Sequence, residues 1–185
     1  MDHPHCWSDA QPDSLPRAEL VARGWRLDPD PWVALHVDLT GTSTPPVVGV
    51  DPTGTDVDAR VAVQRAGFDR STFTSDAWHR IAGGPGFRPE LDLVARDPVG
   101  VPVAVATAWT AGPGRGGILE PVATSAEHRG KGHDRRVVPA ALAALAAAGA
   151  SGGSVATPGS NGPAVAFYES AGMRQVERRQ GLVRG

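Results

Sequence analysis

The hydrophobic pattern changes period several times along the chain, and each change marks an element. Residues 1–30 are weakly patterned. Within them Ser14 to Trp25 reads as a short helix, with Gly24 near its end and Pro29 and Pro31 after it. Trp32 to Leu39 has β-branched and aromatic character and predicts a strand. Gly41 to Pro46 is a turn or linker, after which the chain restarts. Asp56 to Ala66 reads as a helix with Val57, Val61 and Val63 as apolar positions and Gly67 as its stop. Ser75 to Ile81 predicts a second, shorter helix with Trp78 inward, ended by Gly83-Gly84-Pro85-Gly86.

Two strands, Leu91 to Ala95 and Val101 to Trp109, flank the turn Asp97-Pro98-Val99-Gly100 and read as a hairpin. Ile118 to Thr124 is a third strand. A helix from about Arg135 to Ala148 ends at Gly149, and Ser154 to Thr157 is a short central strand. Asn161 to Gly172 holds a compact helix, and Met173 to Val183 supplies terminal strands. The order describes a mixed α/β sheet in one domain.

Composition narrows the function classes. The 185 residues suit one domain, and 41% of them are apolar, enough for a real core. Eighteen basic against 20 acidic residues give a formal charge of −2, which argues against a general nucleic-acid surface. Cys6 is the single cysteine, so there is no internal disulfide framework and no cysteine-based zinc cluster. The polar, acidic amino terminus does not read as a signal peptide. The run Val137 to Ala150 is too short to span a bilayer. The expectation is a cytoplasmic protein, monomer or homodimer, with no nucleic-acid, membrane or metal partner.

Chemistry concentrates after the third strand, in Glu127-His128-Arg129-Gly130-Lys131-Gly132-His133-Asp134. A strand, a glycine loop and a helix start make an anion cradle, because backbone amides point inward and the helix dipole favours phosphate oxygens. The loop lacks the spacing of a P-loop or of a dinucleotide fingerprint. An ordinary strand-to-helix turn would read the same way.

A second segment decides between them. Arg129, Gly132 and position 134 fall on the pattern Arg/Gln-x-x-Gly-x-Gly/Ala, and Asn161 to Met173 resembles Asn-x-x-Ala-x-x-x-Tyr-x-x-x-Gly-Phe. The two together, in order and separated by one helix and one strand, resemble the GNAT superfamily of acyl-CoA-dependent N-acyltransferases over residues 47–185. The resemblance implies a mixed, mostly antiparallel central sheet flanked by helices, with splayed central strands. It implies that the Val122-Ala123-Thr124 backbone pairs with the pantetheine arm of acetyl-CoA. The amides of Arg129, Gly130, Lys131, Gly132, His133 and Asp134 would hold the diphosphate. Arg135 adds a cation there, and Asn161 lies near the cofactor arm. Tyr168 would supply the hydroxyl that meets the departing thiolate; outside this motif it would read as a core aromatic.

Glu120, on the strand entering the loop, is the expected general base, and its apolar neighbours Leu119 and Val122 predict partial burial. A strand amide would assist at the oxyanion. Phe68, Phe73, Trp78 and His79 lie in the part of the chain expected to form the acceptor pocket, with Asp76 and Glu90 as candidate partners of a cationic amine. Asp134 departs from the pattern. A carboxylate at a helix start competes for the amides meant for phosphate and predicts weakened cofactor affinity with an intact fold. Pro139 is expected near the first turn of its helix, where its missing N–H costs little.

The expected activity is transfer of an acetyl group from acetyl-CoA directly to a primary amine, on a small molecule or a protein amino group. The alternative is a degenerate, non-catalytic acyltransferase-like module that binds CoA or a protein. Residues 1–46 would be an extension: the remnant of a second such domain, a lid or a dimer arm, with Trp32 to Leu39 adding to a sheet edge.

Overall fold

The computed structural model describes residues 6–8, 15–42, 47–132 and 134–184, with only the backbone at 6–8, 15 and 134. The end of the expected linker and His133 lie outside the described residues, as does the Asp134 side chain. The described chain divides into two compact units, Val37–Val155 and the pair of segments Met1–His36 and Ala156–Gly185. The amino-terminal segment thus belongs to the same unit as the carboxy-terminal one.

The larger unit opens with β4 (Val50–Pro52), the helices α2 (Val57–Gly67) and α3 (Ser75–Ala82), and a 3-10 turn at Pro89–Leu91. Then come β5 (Asp92–Arg96), β6 (Pro102–Thr110), β7 (Gly116–Thr124), a 3-10 turn at Ala126–His128, α4 (Asp134–Ala147) and the start of β8 (Gly152–Pro158). The strands lie in the order β4-β5-β6-β7-β8. The first four are antiparallel, and β8 joins β7 in parallel.

Alternation along β6 explains why both faces of this sheet are covered. Val105 packs with Val63 of α2, Val94 and Ala123. The intervening Ala104, Ala106 and Ala108 are buried small residues on the opposite face. Against β5, β6 and β7 packs α4, which buries Val137, Val138, Ala141, Leu142 and Leu145 at helical spacing. Val57 and Val61 of α2 meet Trp78 of α3, with Phe73, Ala82 and Phe87 around them. Thr74 caps α3 by accepting from the Ala77 amide at 3.1 Å.

Two sequence expectations change here. Gly67 does not stop α2 but is its last residue, and Phe68 follows as the cap. Because α4 begins at Asp134, Pro139 is the sixth helical residue, beyond the first turn, and leaves the Arg135 carbonyl without its i+4 donor.

The smaller unit holds β1 (Cys6–Ser8), α1 (Leu15–Ala22), β2 (Arg26–Leu27), most of β3 (Trp32–Asp38) and the end of β8. It continues through α5 (Gly162–Ser170), β9 (Arg174–Arg179) and β10 (Leu182–Arg184). A three-stranded sheet has the order β1-β10-β2. β3 is flanked by β8 and β9 and buries Val33 and Leu35 completely. It is an interior strand, where the sequence suggested an edge. Asp30 accepts from the Ser160 amide at 2.8 Å and its hydroxyl at 2.6 Å, tying the entry of β3 to the turn before α5. Among the described residues no helix is long and apolar enough to cross a membrane.

Candidate active site

The strand β7 is irregular where the chemistry was expected. Ala106 faces Val122 and Ala108 faces Leu119, so the two residues Glu120 and Pro121 oppose the single Thr107. This is a β-bulge, and Pro121 sits where a missing donor is tolerated. The bulge shifts the alternation. Before it, Leu119 lies with Leu142 and Leu145 on the α4 side; after it, Ala123 lies with Val63 on the α2 side. Ile118 and Glu120 therefore share the α2 and α3 face.

Glu120 is exposed on that face. Partial burial was expected from its neighbours, but Leu119 is buried because it points the other way. The Glu120 carbonyl accepts from Trp109 Nε1 at 2.7 Å. Pairing between β7 and β8 runs from Gly116–Gly152 to Ile118–Ser154 and stops there. The Val122–Thr124 stretch continues past the end of this ladder, with Val122 and Thr124 half-buried and Ala123 buried.

The loop after β7 is open. Gly130 and Gly132 adopt φ of 71° and 80°, a left-handed conformation that favours glycine. A side chain at Gly130 would meet nothing within 4 Å. Among the described residues no backbone carbonyl accepts from the amides of Gly130, Lys131 or Gly132. These amides precede a 14-residue helix whose dipole adds to their positive potential. Lys131 and Arg135 are exposed, and the Arg135 stem lies 3.8 Å from where a Gly132 side chain would begin.

The Arg129 side chain ties the loop to α2. Its Nη2 donates to the Gly67 carbonyl at 2.6 Å, a cation on the carboxyl end of α2. Gly67 itself is pressed against β7: a Cβ there would sit 2.8 Å from Ala123 Cβ and 3.1 Å from the Thr124 oxygen. Thus α2, β7 and the loop are fastened together beside the Val122–Thr124 edge. Arg136 points elsewhere, its Nη1 lying 2.9 Å from the Cβ position of Gly49.

Asn161 and Tyr168 belong to the smaller unit. Asn161 caps α5, accepting from the Ala164 amide at 3.3 Å and donating to Thr157 Oγ1 at 3.5 Å. Tyr168 is buried in α5 with its ring 5.2 Å from that of Phe167.

A buried polar hub under the same sheet face was not read from the sequence. Asp92 Oδ1 accepts from Arg60 Nε at 3.3 Å, Arg60 Nη2 at 3.2 Å and Thr107 Oγ1 at 2.5 Å. Asp92 Oδ2 accepts from Thr53 Oγ1 at 2.7 Å and Trp78 Nε1 at 3.0 Å. Arg60 also donates to Thr107 Oγ1 at 2.7 Å and to Gln64 Oε1, and its guanidinium lies 5.5 Å from the Phe73 ring centroid. All five hub residues are buried, and Asp92 is fully so. Thr107 links the hub to the bulge that it faces. A signal was present: Arg60 and Gln64 share the spacing of Val57 and Val61 on the inner face of α2, and Asp92 interrupts an apolar strand.

A family model, the acetyltransferase (GNAT) family, matches residues 63–173, from α2 to the end of α5. The chain belongs to the GNAT acetyltransferase family. Its expected class, an acyl-CoA-dependent N-acyltransferase, is the class of this family. The fold is similar to that of a GCN5-related N-acetyltransferase from Sphaerobacter thermophilus, with a TM-score of 0.74, 19% identity, and coverage of 97% of this chain and 58% of that one. A GCN5-related N-acetyltransferase from Kribbella flavida matches with a TM-score of 0.62, 20% identity, and coverage of 97% and 66%. A tandem GNAT protein from the clavulanic acid biosynthesis pathway matches with a TM-score of 0.62, 13% identity, and coverage of 97% and 62%. This chain therefore spans less than two thirds of each of these proteins. No curated protein matches it by sequence.

Proposed function

We propose that this GNAT chain transfers an acetyl group from acetyl-CoA directly to a primary amine of a small molecule or a protein. The observation that carries the reading is the continuous run from the bulge to α4. A strand edge beyond its ladder leads into amides left open by Gly130 and Gly132 at a helix start. The residues that would hold the donor are the Val122–Thr124 backbone for the pantetheine arm, the 129–134 amides for the diphosphate, Lys131 and Arg135 for the remaining negative charge, and Asn161 for the arm. When bound, acetyl-CoA supplies an acetyl group activated as a thioester.

The chain's own part is proton management and positioning. The exposed Glu120 carboxylate accepts the proton that the attacking amine must lose, directly or through water. The Tyr168 hydroxyl donates a proton to the leaving sulfur. Asp134 opposes the phosphates and weakens donor affinity without affecting the fold. The family match at 63–173 falls inside the 47–185 range expected for the acyltransferase domain, while residues 1–36, expected as part of an extension, share a compact unit with residues 156–185.

The test is thiol release from acetyl-CoA with a panel of amines. Amine-dependent release that falls by about 10²-fold or more in Tyr168→Phe supports the reading. Saturable acetyl-CoA binding with no release for any amine would establish the non-catalytic module instead.

A further inference from the structure

We propose that the acceptor is a primary amine carrying an apolar ring, held by an aromatic wall that runs from Glu120 through Trp109 and Phe87 to a pocket beside Trp78. This inference rests on the acyl-transfer reading and names the acceptor class for the same site.

The wall is continuous within the larger unit. Trp109 shares the α2 and α3 face with Thr107 and Val105, and its Nε1 holds the Glu120 carbonyl. Its ring stands 6.1 Å from Phe87, at 66°. Phe87 in turn stands 5.6 Å from Trp78, at 81°. Both are the edge-to-face geometry that fixes aromatic rings in one orientation. Phe87 and Trp109 are half-buried, so each keeps ring surface to offer. At the far end a pocket of about 260 Å³ is lined by Thr53, Trp78, Ala82, Phe87, Pro89 and Asp92.

Electrostatics select the ligand. Asp92 is the floor carboxylate, yet its two oxygens already accept five hydrogen bonds, and Arg60 balances its charge. It has no capacity left for a ligand's ammonium. Glu90, next in sequence to the lining residue Pro89, is held by its own backbone amide and by Arg88, which together keep its carboxyl below its ordinary 4.5. The pocket is thus walled by rings, and the one carboxylate that lines it is already fully engaged. Glu120 is different: it is exposed on the same face at the other end of the wall. A ligand matching both ends has one amine and one apolar ring.

The experiment uses the full chain with 2-phenylethylamine, ethylamine and the aminoglycoside kanamycin. Thiol release from acetyl-CoA gives kcat/KM for each, and tryptophan fluorescence titration without a donor gives amine binding. The expected result is a kcat/KM for 2-phenylethylamine at least about tenfold above that for ethylamine or kanamycin. Phe87→Ala should reduce that ratio about tenfold, and Phe87→Leu, which keeps apolar bulk, should reduce it less. Turnover of ethylamine or kanamycin equal to or faster than that of 2-phenylethylamine overturns the ring assignment and leaves acyl transfer standing. Absence of release with every amine, with acetyl-CoA binding absent by calorimetry, overturns acyl transfer. In that case, fluorescence binding of 2-phenylethylamine that Phe87→Ala weakens still supports the wall, and no such binding overturns it.

Discussion

Two carboxylates on the same sheet face, Asp92 and Glu120, occupy opposite electrostatic situations. Asp92 is fully buried, accepts five hydrogen bonds and faces Arg60 at 3.2 Å. Glu120 stands exposed on β7, opposite Thr107, whose hydroxyl belongs to the Asp92 hub. The difference teaches how the sheet divides labour. Desolvating an ion pair is costly, so Asp92 is tolerable only because every lone pair is used. A proton acceptor needs the reverse: reach, solvent and an oxygen not already committed.

The sharpest way to break the comparison is to exchange the two consequences. Asp92→Asn leaves the Arg60 guanidinium buried without its counter-charge and should cost about 3–5 kcal/mol of stability, read as a lowered urea midpoint. The double variant Arg60→Met with Asp92→Leu should cost less than Asp92→Leu alone, because it removes both charges together. Glu120→Gln should leave the urea midpoint in place and lower kcat by about 10²–10⁴-fold. If Glu120→Gln unfolds the protein, or Asp92→Asn leaves its stability unchanged, the division of roles is wrong.

A smaller effect tests how the hub's helix meets the site's strand. Within a helix alanine is normally better than glycine by about 1 kcal/mol. At Gly67 the added Cβ would meet Ala123 Cβ at 2.8 Å and the Thr124 oxygen at 3.1 Å, and the oxygen is backbone. Gly67→Ala should therefore destabilise by about 1–3 kcal/mol, against propensity. It should also weaken acetyl-CoA binding by calorimetry, since what must shift is the Val122–Thr124 edge. A stabilised variant would mean that α2 can slide without disturbing β7.

The longer elements were legible because their signals are local. The periods of α2, α3, α4 and α5, and the β5–β6 hairpin around Asp97–Gly100, lie within a residue or two of where the pattern placed them. The loop and the Asn161–Met173 segment were legible as motifs. What escaped was non-local. β1, β2 and β4 are two or three residues long and exist through distant partners, as Cys6 with Arg184 and Val50 with Ala95. The exposure of Glu120 escaped because neighbours in a strand face opposite ways, so an apolar Leu119 is no evidence of burial at 120. The hub escaped because Arg60 reads as a polar interruption until the fold supplies Asp92, 32 residues away.

The smallest expected effect lies in the other unit, at a half-buried carboxylate that sharpens the contrast with Asp92. Asp30 is half-buried, and the Ser160 hydroxyl and then its amide hold its carboxyl below the ordinary 3.8, outweighing an opposing desolvation. A depressed folded-state value means the ionised form is the one the folded chain binds. Its stabilising contribution is therefore full above the unfolded value and fades as pH falls through the folded one. Unlike the hub, this tie has solvent as a ready substitute, so its loss should be slight. Wild type and Asp30→Asn should differ in thermal midpoint at roughly pH 6, and the difference should shrink as pH falls below the ordinary 3.8. The Ser160 amide should exchange faster in the variant at the higher pH only. A difference that persisted undiminished at the lower pH would show that Asp30 acts through packing, with its charge irrelevant to how β3 is joined to the turn before α5.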